Sequence, residues 1–146
     1  MSFVKIWIHT VWTTKNRQPL LNKSIRKDTF KHIHRNALKK GILVDVVNGY
    51  SEHVHCLFRL KNDQTIKDTL QLMKGEPSFW INKHNLIKTK FNWQKEYYAV
   101  SVSESHVSKV NNYIQNQEDH HSTVSFDQEF KKFIEKFGFK VYRDDE

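Results

Sequence analysis

The stretch Glu52-His53-Val54-His55-Cys56-Leu57-Phe58 constrains the fold more than any other. Val54, Cys56, Phe58 and Leu60 share one parity, and His53 and His55 share the other. That period-two pattern belongs to a strand with one face buried in a core. The two imidazoles then project side by side from the opposite face. Two readings fit that pair. It is a solvated strand face that carries two histidines, or a two-pronged site for a divalent metal that needs a further ligand.

The rest of the chain supplies a fold around this strand. Phe3 to Thr13 is β-branched and aromatic on both parities, as in a central strand covered on both faces. Thr13 to Pro19 is polar and basic and reads as a loop. Ser24 is placed to cap a helix running to about Lys40, with Gly41 as its stop and Phe30, Ile33, Ala37 and Leu38 on its core side. Ile42 to Val47 is the next strand, and Asn48-Gly49 reads as a tight hairpin turn into the histidine strand. Thr65 caps a second helix whose inner row is Ile66, Leu70, Met73 and Ile81, and Gly75-Glu76-Pro77 is expected to interrupt it. Tyr97 to Val102 is a fourth strand. A third helix runs from Glu104 to about His120, and Phe126 to Phe137 is an amphipathic tail helix. The acidic end Asp144-Asp145-Glu146 is expected to fray.

Strand, helix, strand, strand, helix, strand is the split βαβ order of the ferredoxin-like fold, an α+β antiparallel sheet with two helices on one face. The C-terminal helices follow it, and the face bearing His53 and His55 is expected to stay free. No repeat, low-complexity tract or linker divides the 146 residues, so they read as one domain.

Charge narrows the partners. Lys and Arg total 24 against 16 Asp and Glu, a net +8. Between Lys15 and Lys40 there are nine basic residues and one acid, Asp28, a local excess equal to that of the whole chain. Such a concentration is either a solvated helix face or a phosphate-binding surface. The DNA-contact candidates are Lys15, Arg17, Lys23, Arg26, Lys27, Lys31 and Arg35 from this span, with Lys74 from the second helix. The single cysteine, Cys56, lies on the buried parity, which excludes a disulfide framework and points to the cytoplasm. No apolar run approaches membrane-spanning length, and Met1 to Trp7 lacks the apolar stretch and cleavage site of a secretory leader.

Tyr113-Ile114-Gln115-Asn116-Gln117 is the second informative stretch. Tyr113 and Gln117 are four apart on the third helix and share a face, which His120 joins seven residues on. Alone, a helical tyrosine is usually packing and a helical glutamine usually solvated. Together with His53-Val54-His55, however, Tyr-Ile-x-x-Gln resembles the motif set of the IS200/IS605-type transposases, the single-tyrosine branch of the HUH endonucleases. Trp12 to Arg17, Met73-Lys74-Gly75 and Tyr97 to Val102 also look familial, and the resemblance spans nearly the whole chain.

That resemblance implies a bacterial cytoplasmic enzyme acting on single-stranded DNA with hairpin ends. Tyr113 is implied as the nucleophile that forms a 5′-phosphotyrosyl link and frees a 3′-OH. His53, His55 and Gln117 are implied as ligands of Mg²⁺ or Mn²⁺, with His120 a weaker candidate, and a homodimer is implied as the assembly. A divalent ion there would stabilise charge on the phosphate oxygens, and a nearby cation lowers the cost of ionising a phenol of ordinary pKa about 10. Two other readings stay open: a domesticated nuclease of the same family acting on chromosomal hairpin repeats (REP-associated), and a non-catalytic nucleic-acid-binding module of ferredoxin-like fold.

Overall fold

The computed structural model describes residues 1–139, so the acidic end and Tyr142 lie outside the described residues. Strands β1 (Ile6–Thr14), β2 (Leu43–Gly49), β3 (His53–Leu60) and β4 (Trp93–Val102) form one antiparallel sheet in the order β2-β3-β1-β4. Helix α1 (Arg26–Lys39) joins β1 to β2, and α2 (Ile66–Lys83) joins β3 to β4. This is the ferredoxin-like order expected from the sequence. β1 is central, as its two apolar parities require, with Val11 opposite His55 and Thr13 opposite His53.

One face of the sheet carries the main core. Ile8, Trp12, Val54, Cys56 and Phe58 pack there with Ile33 and Ala37 of α1 and Leu70, Met73 and Ile81 of α2. The other face differs from expectation. Helices α3 (Val107–Gln115), α4 (Gln117–His121) and α5 (Phe126–Phe137) follow β4. Phe126 of α5 stacks on His53, and Phe133 meets the His9 ring edge-on. His53 and His55 are therefore buried, at 0% and 1% exposure, where the sequence pattern left them on a free face. Alternation reports which way side chains point and is blind to what later lands on them.

Local details also depart from the sequence reading. The turn between β2 and β3 is Tyr50-Ser51-Glu52, closed by the Tyr50 amide donating to the His53 carbonyl at 3.1 Å, and Gly49 is the last residue of β2. A Cβ on Gly49 would stand 2.1 Å from the His53 carbonyl oxygen, so glycine is required by backbone approach. Gly49→Ala is expected to cost about 3 kcal/mol or more, because the clash is with backbone that cannot step aside. A urea midpoint unchanged from wild type would contradict this. The second helix is not interrupted: α2 runs unbroken through Pro77. Leu70, Met73, Pro77 and Ile81 form one buried row, so burial of the proline ring offsets the missing amide. Thr65 caps α2 as expected, accepting from the Asp68 amide, whereas Ser24 bonds Asn22 and leaves α1 without a side-chain cap. The expected third helix breaks at Asn116 (φ −94°, ψ 20°) into α3 and α4.

Candidate active site

The site is assembled from β3, α3, α4 and α5. β3 supplies His53 and His55 at the spacing that points both rings to one face. α3 supplies Tyr113, and its end is anchored from β2: the Asn48 side-chain amide donates to the Ile114 and Gln115 carbonyls at 3.0 and 3.1 Å. Those are carbonyls that a helix terminus leaves without an intrahelical partner. Gln117 opens α4 just past the break and is fully buried. Ser125 and Gln128 form a reciprocal capping box at the start of α5, which fixes where that helix begins and so where Glu129 falls.

Glu129 is the hub. It is 5% exposed, and five side chains converge on it. The His55 Nε2–H donates to Oε1 at 3.0 Å, and the Tyr113 hydroxyl donates to Oε2. The His121 Nε2–H donates to Oε2 at 3.2 Å, with His53 Nε2 3.6 Å from Oε1. His120 Nε2 also comes within 3.0 Å of Oε2, but its angle makes no hydrogen bond and that nitrogen is otherwise unpartnered.

His53 is oriented from behind. Its Nδ1–H donates to Glu52 Oε1 at 2.6 Å, which turns Nε2 toward Gln117 Oε1 at 3.0 Å. A carboxylate holding the far nitrogen of an imidazole is the usual outer support of a metal-binding histidine. His53 Nε2, Gln117 Oε1 and Glu129 Oε1 thus converge as acceptors, an arrangement that a cation resolves. His9 plays the same supporting part behind His55, its Nε2–H donating to His55 Nδ1 at 2.8 Å.

The electrostatics follow from burial. It pushes His9 down to about 3 and His55 down to about 4, the Glu129 charge opposing the drop in both. Both rings are neutral near pH 7, the form that offers a lone pair to a metal. Burial alone would raise the Glu129 carboxyl, yet hydrogen bonds from His121 and His55 outweigh it and hold the group ionised, far below the carboxylate range. The Tyr113 phenol is driven above its ordinary value by burial, then by the Glu129 charge and the bond to it. In this arrangement the tyrosine is held protonated.

One ligand atom each from His53, His55, His121 and Glu129 all lie within 4.8 Å of one another. Two or three imidazoles with a carboxylate and an amide oxygen form a donor set suited to a divalent ion, and Mg²⁺ or Mn²⁺ would draw on the oxygens. The sequence pattern points to His120 as the spare histidine; its Nε2 lies 3.0 Å from Glu129 Oε2, and its neighbour His121, which the pattern does not single out, joins the cluster with His53 and His55. Glu129 and His9 do not stand out in the sequence. Glu129 left one trace: with Phe126, Phe130 and Phe133 it lies at i, i+3, i+4 and i+7 on the apolar stripe of α5, where a solvated glutamate does not belong.

The basic candidates are dispersed. Lys15, Arg17, Lys23, Lys27, Lys31 and Arg35 are exposed. Arg26 is buried: its Nε donates to the Leu21 carbonyl, its guanidinium pairs with Glu118 at 2.6 Å, and it lies over the Tyr50 ring. Arg26 therefore ties α4 to the start of α1. Lys74 is half-buried, and its ammonium donates to the Gln94 and Lys95 carbonyls. α1 covers the sheet face opposite the histidines, so Lys27, Lys31 and Arg35 are remote from Tyr113.

Arg17 is adjacent to the site. It pairs with Asp127 at 2.5 Å and lies over the Phe126 and Phe130 rings. Asn16 and Arg17 both take left-handed backbone (φ 57° and 54°), which non-glycine residues adopt at a cost of roughly 1–2 kcal/mol each. The turn is held by the Asn16 amide on Gln94 Oε1 at 3.0 Å and the Lys15 amide on the Asn92 carbonyl at 3.0 Å. A cleft of about 570 Å³ opens beside it, lined by Asn16, Arg17, Gln94, Tyr97, Phe126 and Phe130 among others. No helix among the described residues is long and apolar enough to cross a membrane.

A ferredoxin-like sheet with paired histidines on β3 and a tyrosine and glutamine on the following helices defines a protein of the HUH type. The chain belongs to the IS200-like transposases, whose family model matches residues 2–117. It is 26% identical over 117 residues to the ISDra2 transposase TnpA of Deinococcus radiodurans, covering 76% of this chain and 83% of that protein. Solved structures of the same fold include the following two. A crystal structure of a candidate transposase from Deinococcus radiodurans R1 superposes with a TM-score of 0.64 at 21% identity, covering 80% of this chain and 93% of that one. A REP-associated tyrosine transposase, solved bound to a REP hairpin, superposes with a TM-score of 0.61 at 16% identity, covering 85% and 73%.

Proposed function

We propose that this protein is a single-stranded DNA transposase that binds hairpin ends and cleaves and rejoins strands through Tyr113. The observation that carries the reading is convergence within one chain: the Tyr113 hydroxyl and the His53 and His55 nitrogens meet at a single buried carboxylate. A binding module has no use for a phenol directed into a cluster of metal-ligating groups. The Tyr113 oxygen attacks phosphorus and gives up its proton, the bond to the 3′ oxygen breaks and that oxygen takes up a proton to become the 3′-OH, and the downstream fragment stays on the tyrosine through its 5′ phosphate. Attack by a 3′-OH reverses the exchange, so bond energy is conserved without a nucleotide cofactor. His53, His55 and Gln117 would hold a divalent ion, which when bound stabilises charge on the phosphate oxygens and the leaving oxygen. Tyr113 packs on its own sheet, which favours a site assembled in cis within the homodimer that the family implies. The aromatic cleft beside Arg17 suits an unstacked base of the strand entering the site.

The test is a labelled single strand carrying a hairpin from the DNA that flanks the gene, incubated with and without Mg²⁺. The expected products are an upstream fragment ending in a free 3′-OH and a downstream fragment linked to the protein through its 5′ phosphate, a link that survives denaturation. Tight binding with no adduct in Mg²⁺ or Mn²⁺ would favour the non-catalytic module.

The exposed row on α1 yields a separate expectation. Lys27 and Lys31 are one helical turn apart and face solvent, so they suit the duplex stem more than the cut phosphate. Lys27→Ala with Lys31→Ala should flatten the slope of log K against log salt by about 2, one for each phosphate deprived of its lysine. A slope equal to wild type would place the stem elsewhere.

A further inference from the structure

We propose that Glu129 is itself a ligand of the divalent ion, so that α5 contributes to the metal site alongside β3 and α4. The proposal rests on the metal-site reading above and extends it to a helix outside the residues that match the family model, which end at 117. Three observations carry it. First, Glu129 Oε1 lies 3.0 Å from His55 Nε2 and 3.6 Å from His53 Nε2, so one oxygen already stands between the two nitrogens that would face an ion. Second, the carboxyl group is only 5% exposed, and a buried carboxyl group is rarely left without several polar partners or a coordinated ion. Third, two neutral imidazoles and an amide form a donor set without charge. Hard divalent ions prefer oxygen, and a carboxylate supplies both the oxygen and the charge.

The second Glu129 oxygen accepts from Tyr113, so the same residue ties the position of the nucleophile to that of the ion. From the elements packed around it, Glu129 is faced by His53 and His55 of β3, Tyr113 of α3, and His120 and His121 of α4. None of these competes as an anionic ligand. Gln117 Oε1, which approaches His53 Nε2 from α4, becomes a fellow ligand with a smaller share of the affinity.

The test measures Mn²⁺ binding to the DNA-free protein by calorimetry and by water-proton relaxation, so no cleavage is needed. Glu129→Gln preserves size, keeps one acceptor oxygen and removes the charge. It should weaken Mn²⁺ by at least about tenfold, more than Gln117→Ala does. If circular dichroism finds Glu129→Gln unfolded, Glu129→Asp replaces it, since it keeps the charge but withdraws the oxygen by one methylene. It should also weaken the ion. Wild-type or tighter affinity in the variant that folds overturns the proposal and makes Glu129 an occupant of the site that the ion displaces. His55→Asn is the reference. If it loses Mn²⁺ while Glu129→Gln keeps it, only the role of Glu129 fails. If His55→Asn also binds as wild type does, the metal site itself is misplaced and both readings fall.

Discussion

Tyr113→Phe should fold, bind hairpin DNA within about twofold of wild type, and form no covalent adduct. The substitution removes one oxygen from a side chain that is 37% exposed. The ring keeps its edge-on contacts with His55 (5.7 Å between centroids) and His120 (5.4 Å). Among the described residues the deleted hydroxyl bonds only Glu129, which keeps His55 and His121 as donors and is not orphaned. Stability should therefore change by less than about 1 kcal/mol. Activity should fall by at least about 10³-fold, since no other group can hold the phosphoryl. Tyr50, Tyr97, Tyr98 and Tyr142 are the controls, because none has a glutamine four residues on: those positions hold Val54, Ser101, Val102 and Glu146. Tyr98 is the nearest rival, but burial drives its phenol well above the ordinary range and its ring is packed on Phe133 at 4.2 Å. Phe variants of these controls should still cut. An adduct mapped by mass spectrometry to any of them would reassign the nucleophile.

The second large effect belongs to the histidines. His53→Ala and His55→Ala should each abolish metal-dependent cleavage, a loss of about 10³-fold if the ion contributes several kcal/mol to the barrier. Single-turnover cleavage with Mg²⁺ measures it, and full activity in both variants would remove the metal from the reaction. The structure adds a cost that an exposed strand face would not carry. Each ring is buried and held, His53 bonded to Glu52 and facing Gln117 Oε1, His55 bonded to His9 and Glu129. Truncation strands those partners and should cost about 1–3 kcal/mol for each group left unpaired. Urea unfolding must therefore accompany the kinetics. His53→Asn and His55→Asn refill part of the space and should recover stability without recovering cleavage.

Much of this site is legible in the chain because it depends on local periods. A repeat of two on β3 aligns His53 with His55, and a near repeat of four aligns Tyr113 with Gln117, whatever else the chain does. The element order that gives the ferredoxin-like sheet is legible for the same reason, being built from runs of apolar residues with their own stop and start signals. The α5 helix is legible as a helix, through its Phe126, Phe130, Phe133 and Phe137 stripe.

Tertiary structure alone decided what those pieces meet. The alternation in β3 identifies a face but cannot show that α5 covers it, so His53 and His55 become buried groups needing partners. Glu129 lies 74 residues from His55 in the chain, and only the packing of Phe126 and Phe133 on the sheet delivers its carboxylate to the histidines. The same holds for Gly49, whose glycine answers a neighbouring carbonyl where the sequence suggests a turn, and for Pro77, which the buried row of α2 keeps within an unbroken helix. Short-range periodicity is set by backbone geometry that every residue carries with it. Contacts between distant segments depend on how whole faces fit, and no single stretch of sequence contains that information.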